Sequence, residues 1–282
     1  MRARLAVVAA LVFAVALFAA VVAAPRGEGF VDSPRARTHF LTFADGDACY
    51  VKFARRLAEQ ARTVAGFESA RALDRRYLDA DFVRRNAGVL AAPRGGGYWL
   101  WKPAVIFRYA LEEARDGDVV VYCDSLYRFQ DRRPGAGGSF AAYVAGELER
   151  SSHDVLVFKY KPEPNNWEYP EREWCKRDAY VVLGVADDDD ATRDSTQAWG
   201  GFLAFRRTTR AMTFLAAFLT YCQDPRVLTD APSVLGSEDA GMREHRHDQS
   251  VMSLVAKRWG IPMLAFPKGY MVDLRHAGEG GC

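Results

Sequence analysis

The sequence has 282 residues, 49% hydrophobic and 26% charged, with 38 basic against 36 acidic side chains and a formal net charge of +2. This length suits one large domain or two small ones with a sizeable core, and the composition excludes a disordered or collagen-like chain. The near balance of charge excludes nucleic-acid binding driven by a general basic excess.

Residues 5–24, LAVVAALVFAVALFAAVVAA, form an unbroken apolar run. A helix of about 20 residues spans the ~30 Å hydrocarbon core of a bilayer. Arg2 and Arg4 precede the run, whereas Arg26, Glu28 and Asp32 follow it. That asymmetry favours a cytosolic N-terminus and a translocated body. The expectation is a signal-anchor transmembrane helix at 1–24, a short Pro-, Gly- and Arg-rich stem at 25–37 and one globular domain at 38–282. The domain would lie in a secretory lumen (Golgi- or ER-like) or on the extracytoplasmic side. A cleaved signal peptide is the alternative, with Val21 and Ala23 as the small residues before a cut. The run is longer than the usual ~7–15 residue apolar core of such peptides, and Pro25 follows Ala24 directly. Both readings translocate the same domain.

The cysteines are Cys49, Cys123, Cys175, Cys222 and Cys282, with no CxxC pair. Zinc-ribbon and thioredoxin readings therefore fail. An oxidising compartment permits disulfides, and Cys175 with Cys222 is one candidate pair. The odd count leaves at least one thiol unpaired within the chain. Cys123, in an apolar run, reads as a buried thiol.

In chain order, THFLTF (38–43) reads as a strand and Asp47 as the cap of a helix with apolar spacing at Tyr50, Phe53, Leu57, Ala61 and Val64. ALDRRYLDADFVRRNAGV (72–89) reads as a further helix or pair of helices, and Lys102-Pro103 opens another. DVVVYCD (118–124) is a short continuous apolar run, the signature of a parallel strand covered on both faces. Strands also fit DVLVFKY (154–160), WGGFLAF (199–205) and IPMLAF (261–266). Helices fit 140–150, 208–222 and 247–260. Strands alternating with helices argue for an α/β sheet of doubly wound type.

Several residues could carry chemistry. Asp124 ends the apolar strand, followed by Ser125, and ligands of open parallel sheets bind beyond the carboxyl ends of strands. A carboxylate there holds a divalent cation or a ribose hydroxyl, or simply caps a turn. In RGGGYWLWKP (94–103), three glycines allow close approach of a ligand, Tyr98, Trp99 and Trp101 offer flat faces, and Lys102 offers a charge for phosphate. The same aromatics could instead plug the core. His247, Asp248, Gln249 and Ser250 open a helix, where they cap it or face an anionic or hydroxyl-rich ligand. His245 and His247 form an HxH pair without an obvious third metal ligand. Gly200 and Gly201 admit a substrate to the backbone or mark a bulge. The four aspartates at 187–190 read as a solvated loop. There is no GxSxG, HExxH or P-loop, so those hydrolase and nucleotidase routes have no support.

Taken in order, THFLTFADG, RRLAEQA, GGGYWLWKPAVI, DGDVVVYCDS, WGGFLAF and EHRHDQSVMSLVAKRWGI resemble nucleotide-sugar glycosyltransferases of the GT-A fold. The nearest type is that of capsular-polysaccharide synthesis, with a GYWLWKP segment ahead of a strand-end aspartate. The resemblance covers about residues 38–265. It implies a GT-A-like, Rossmann-like α/β domain with a mostly parallel sheet and helices on both faces. It implies a hexosyltransferase-like enzyme moving a sugar from a nucleotide-diphosphate-sugar to a glycan, lipid or protein acceptor. Asp248 and Gln249 would face donor sugar and acceptor, with Asp248 as the acceptor-hydroxyl contact or base. Trp99, Lys102, Asp124, Ser125, Gly200, Gly201 and His247 would bind the nucleotide-sugar. Asp124 and His276 would hold manganese or magnesium, although Leu126 replaces the second aspartate of a DxD motif. That replacement keeps a catalytically inactive nucleotide-sugar- or glycan-binding module as the alternative. A structural membrane-associated protein and an α/β hydrolase lacking an evident nucleophile are the other rivals.

Overall fold

A computed structural model of the chain describes residues 35–130, 138–159, 169–265 and 269–275. The apolar run at 5–24 and most of the stem lie outside the described residues, and the unit that begins at Ala36 is the one described below. Among the described residues no helix is long and apolar enough to cross a membrane.

Six strands form the central sheet: β1 (Thr38–Phe43), β2 (Ser69–Leu73), β3 (Val119–Cys123), β5 (Val155–Phe158), β6 (Phe202–Arg206) and β7 (Met263–Leu264), in the order β2-β1-β3-β6-β5-β7. β4 (Tyr127–Phe129) pairs antiparallel with β8 (Met271–Asp273) in a separate ribbon. β1 runs parallel to both β2 and β3, and β5 runs parallel to β7. Only β6 opposes its neighbours, pairing Cys123 with Phe202 and Val119 with Arg206. The sheet is thus mixed and mostly parallel.

Alternation along the strands divides the core in two. Leu41, Val120, Tyr122, Leu203 and Phe205 pack on one face, with the Trp101–Glu112, Thr209–Cys222 and Asp248–Arg258 helices. Phe40, Val121, Cys123, Phe202 and Ala204 pack on the other, with the Ala48–Thr63 and Phe140–Arg150 helices. Helices on both faces are as the sequence implies. All five residues of β3 are buried, which explains its continuous apolar run. Asp47 caps the first of these helices by accepting from the Cys49 amide. Tyr50 departs from the buried stripe and is exposed.

Three expectations need correction. Ser69–Leu73 is an edge strand, whereas the sequence reading began a helix at 72. The remainder of that span holds two short helices: Asp74 caps a 3-10 turn and Asp79 caps Ala80–Arg85, with Ala87–Leu90 following. IPMLAF is no buried strand, since only the half-buried Met263 and Leu264 pair, on the rim beside β5. Cys175 and Cys222 are not joined; both are free thiols buried in the apolar core, where burial pushes their pKa values up. Cys123 is likewise a buried free thiol, and Cys49 is disulfide-bonded.

Candidate functional site

The site begins with an unusual turn. Gly95, Gly96, Gly97, Tyr98 and Trp99 all have positive φ, at 58°, 58°, 101°, 52° and 58°. The glycines adopt this left-handed path freely, whereas Tyr98 and Trp99 cost about 1–2 kcal/mol each. Gly97 admits no side chain, because a Cβ there would lie 2.6 Å from the Leu90 Cα. The Trp101 indole N–H donates to the Gly95 carbonyl at 2.9 Å, and its ring stacks on Phe43 at 3.9 Å. These contacts hold the turn and aim the next helix.

Lys102 lies in the first turn of that helix and is only 3% exposed. Its ammonium donates to the Gly200 carbonyl at 3.0 Å and lies 2.9 Å from Asp248 Oδ2 and 3.3 Å from Asp124 Oδ1. Burial disfavours the charged amine, but the two carboxylates outweigh it and hold its pKa above the ordinary lysine value. Lys102 thus lines the cavity with its ammonium held by two carboxylates. The Tyr122 hydroxyl donates to Asp124 Oδ1 at 2.8 Å. Burial pushes the Asp248 carboxyl up to about 6, against the pull of Lys102 and with a further push from Asp124.

β6 supplies the facing wall. The Asp124 amide donates to the Gly201 carbonyl at 2.9 Å, so the end of β3 meets the entry to β6 directly. The Gly200 amide donates to Gln249 Oε1 at 3.1 Å, and Gln249 Nε2 donates to Gln197 Oε1 at 2.8 Å. Gln197 donates onward to Glu171 at 2.7 Å, and Lys257 donates to Glu171 at 2.6 Å. Glu171 and Gln197 are both 0% exposed, so a polar chain with a buried middle fixes the Gln249 amide.

His247 has φ 52° and ψ −122°, a strained backbone for a non-glycine residue. Its Nδ1–H donates to the Leu228 carbonyl at 2.8 Å, and its ring stacks on Trp99 at 5.5 Å. Burial lowers its pKa, and Nε2 has no hydrogen-bond partner among the described residues. His245 uses both ring nitrogens, Nε2 toward the Val227 carbonyl at 2.8 Å and Nδ1 accepting from the Lys176 amide at 3.3 Å. The HxH metal pair therefore does not form. The aspartates at 187–190 serve the surface: Asp187 pairs with Arg177, Asp189 caps a helical turn and Asp190 pairs with Arg172.

These elements enclose a cavity of about 610 Å³ at the carboxyl ends of β1 and β3. Trp99, Lys102, Asp124, Ser125, Gly200, Gly201, His247, Asp248 and Gln249 all line it, so the sequence-predicted residues converge. His276 lies outside the described residues. Arg75, Arg94, Arg246 and Arg275, which no motif in the sequence marks as binding residues, also line the cavity. With Lys102 they face three lining carboxylates, Asp45, Asp124 and Asp248, while Asp230 and Glu244 pair with Arg94, Glu244 with Arg246 and Asp273 with Arg275 from outside the lining. Arg246 sits within the EHRHDQ segment and Arg275 beside His276, so proximity to flagged residues was the only signal available.

The donor set at Asp124 does not suit a divalent cation. Oδ1 already faces a hydroxyl donor and an ammonium, and Leu126 stands where a second carboxylate would be. Among the described residues no group of three or more His, Cys, Asp or Glu is placed to hold a metal.

No family model matches the sequence, and no curated protein matches it. Solved structures do align with it. Apo mouse xyloside xylosyltransferase 1 does so at TM-score 0.39 and 8% identity, over 81% of this chain and 84% of that one. The apo bifunctional glycosyltransferase WbbM aligns at TM-score 0.39 and 11% identity, over 81% of this chain and 38% of that one. The galactosyltransferase LgtC, in complex with donor and acceptor sugar analogues, aligns at TM-score 0.36 and 15% identity, over 77% and 70%.

Proposed function

We propose that the chain is a glycosyltransferase of GT-A-like fold that moves a sugar from a nucleotide-diphosphate-sugar to an acceptor hydroxyl on a glycan, lipid or protein. The observation that carries this reading is the cavity at the carboxyl ends of parallel strands, where Asp124 and Asp248 share one buried lysine and basic side chains predominate. Such a lining attracts an anionic, hydroxyl-bearing ligand. The Trp99 face stacks against a ring of the donor, and Asp124 accepts from its hydroxyls. Ser125, at the same strand end, adds a small polar group on the donor side. Gly200 and Gly201 let the sugar lie close to the backbone, and Gln249 donates to it or to the acceptor.

In the reaction, the acceptor oxygen bonds to the anomeric carbon while the bond to the diphosphate oxygen breaks and its electron pair stays with the leaving group. Asp248 takes the acceptor proton. A carboxyl with a pKa of about 6 is mostly ionised at neutral pH and still basic enough for that task. The body belongs on the translocated side of a membrane, anchored by 5–24; the length of that apolar run and the disulfide at Cys49 support this address.

The test is nucleotide release by the full chain in detergent, offered a panel of nucleotide-sugars with mixed glycan acceptors, beside Asp124→Asn. Release from one donor class, lost in the variant, is expected. Binding without release would leave an inactive module, and no binding at all would refute the reading.

A further inference from the structure

We propose that this transferase works without a divalent cation, the fixed cations Lys102 and Arg275 in the cavity with Asp124 taking the charge role that a metal would have. This rests on the glycosyl-transfer reading above. Three observations carry it.

First, one carboxylate oxygen of Asp124 is already engaged. Its Oδ1 accepts from Tyr122 at 2.8 Å and lies 3.3 Å from the Lys102 ammonium. An oxygen-liganded cation bound there would sit about 2.0–2.6 Å from the carboxylate, and so against a buried positive charge. Second, the partner carboxylate is committed elsewhere: Asp248 is buried and lies 2.9 Å from the same ammonium. The single lysine thus offsets one of the two negative charges and leaves the trio with one net negative charge when both acids are ionised. Third, a guanidinium stands ready for the phosphates. Arg275 lines the cavity from the end of β8 and feels the Asp124 charge. It spends Nε on Asp273 at 2.9 Å, and Nη2 on Asp273 at 2.6 Å and on the Tyr127 hydroxyl at 2.8 Å. Among the described residues its Nη1 has no partner, and the side chain is 49% exposed. Its planar fork suits a phosphate. When the anomeric carbon–oxygen bond breaks, the electron pair stays on the diphosphate and Arg275 neutralises the charge that develops.

The experiment uses the full chain in detergent, with UDP and GDP as binding probes and calorimetry as the readout, in excess EDTA and then in manganese or magnesium. Nucleotide release from the corresponding sugar nucleotides is read alongside. Affinity and release in EDTA should stay within about twofold of the values with metal, because no bridging ion is lost. Arg275→Gln should weaken UDP or GDP binding about tenfold or more, the loss of one charge-assisted hydrogen bond, at a temperature where its melting curve shows it still folded. Binding that vanishes in EDTA and returns with manganese overturns the proposal, as does undiminished binding by Arg275→Gln. Absence of binding and release under every condition refutes the transferase reading itself, and this proposal with it.

Discussion

Lys102 and Asp248 form an ion pair at 2.9 Å with both side chains almost wholly buried. Removing one partner of such a pair strands the other charge, which costs about 3–5 kcal/mol. Lys102→Met should therefore lower stability by that order in urea denaturation. Combining it with Asp248→Asn should recover part of the loss, because no buried charge is then left unpaired. The double variant should remain inactive.

Asp248→Asn alone tests the proton-accepting role. General bases contribute about 10²–10⁴-fold, so kcat should fall by that order with nucleotide affinity little changed. In the parent, activity should rise as pH increases through about 6, where Asp248 ionises. The groups facing it are Lys102, which favours ionisation, and Asp124, which opposes it. The stability sign runs the other way. A carboxyl raised from 3.8 to about 6 by folding stabilises the protein most fully below pH 3.8 and loses that contribution as pH rises through 6. Denaturation of Asp248→Asn should lack this component.

Gly200→Ala would set a Cβ 2.7 Å from the Gln249 Cβ and 3.1 Å from its Cα. Overpacking of this kind costs about 1–3 kcal/mol. The displaced Gln249 would lose its bond from the Gly200 amide. Initial-rate kinetics should therefore show a fall in kcat beyond the change in melting temperature, and a variant with undiminished kcat would remove Gln249 from the site.

Glu171 lies far along the polar chain, joined to Gln197 and Lys257 and fully buried. Glu171→Ala leaves Lys257 without its carboxylate and should cost about 3–5 kcal/mol in thermal or urea unfolding. A stability unchanged by the substitution would show that the buried chain does not hold Gln249.

Where local chemistry sets structure, the sequence was readable. β1 starts and ends at the boundaries of THFLTF, and β3 is the apolar run before Asp124. GYWLWKP and HDQ meet at one cavity, Trp99 against His247 and Lys102 against Asp248. The rest depended on distant partners. β2, SARAL, has exposed residues at Arg71 and Ala72 because it is an edge strand, so it lacks an apolar pattern. Nothing in WGGFLAF marks β6 as running against its neighbours. Lys102 is a residue type rarely buried, and only the folded approach of Asp124 and Asp248 explains its enclosure. Arg275 reaches the cavity through the β4–β8 pairing, which no local motif announces.

The reversed direction of β6 fixes when the site can come into being. The residues just before it, Gly200 and Gly201, arrive at the same end of the sheet as the trailing residue of β3, and Gly201 bonds to Asp124 across that seam. The helix with Asp248 and Gln249 follows later in the chain and closes on Gly200 and Lys102. During synthesis, the half emerging first therefore carries the GYWLWKP turn and Asp124 without a pocket. The pocket is complete only once β6 has threaded between β3 and β5, so ligand binding should report the completion of this pairing rather than the presence of any one motif.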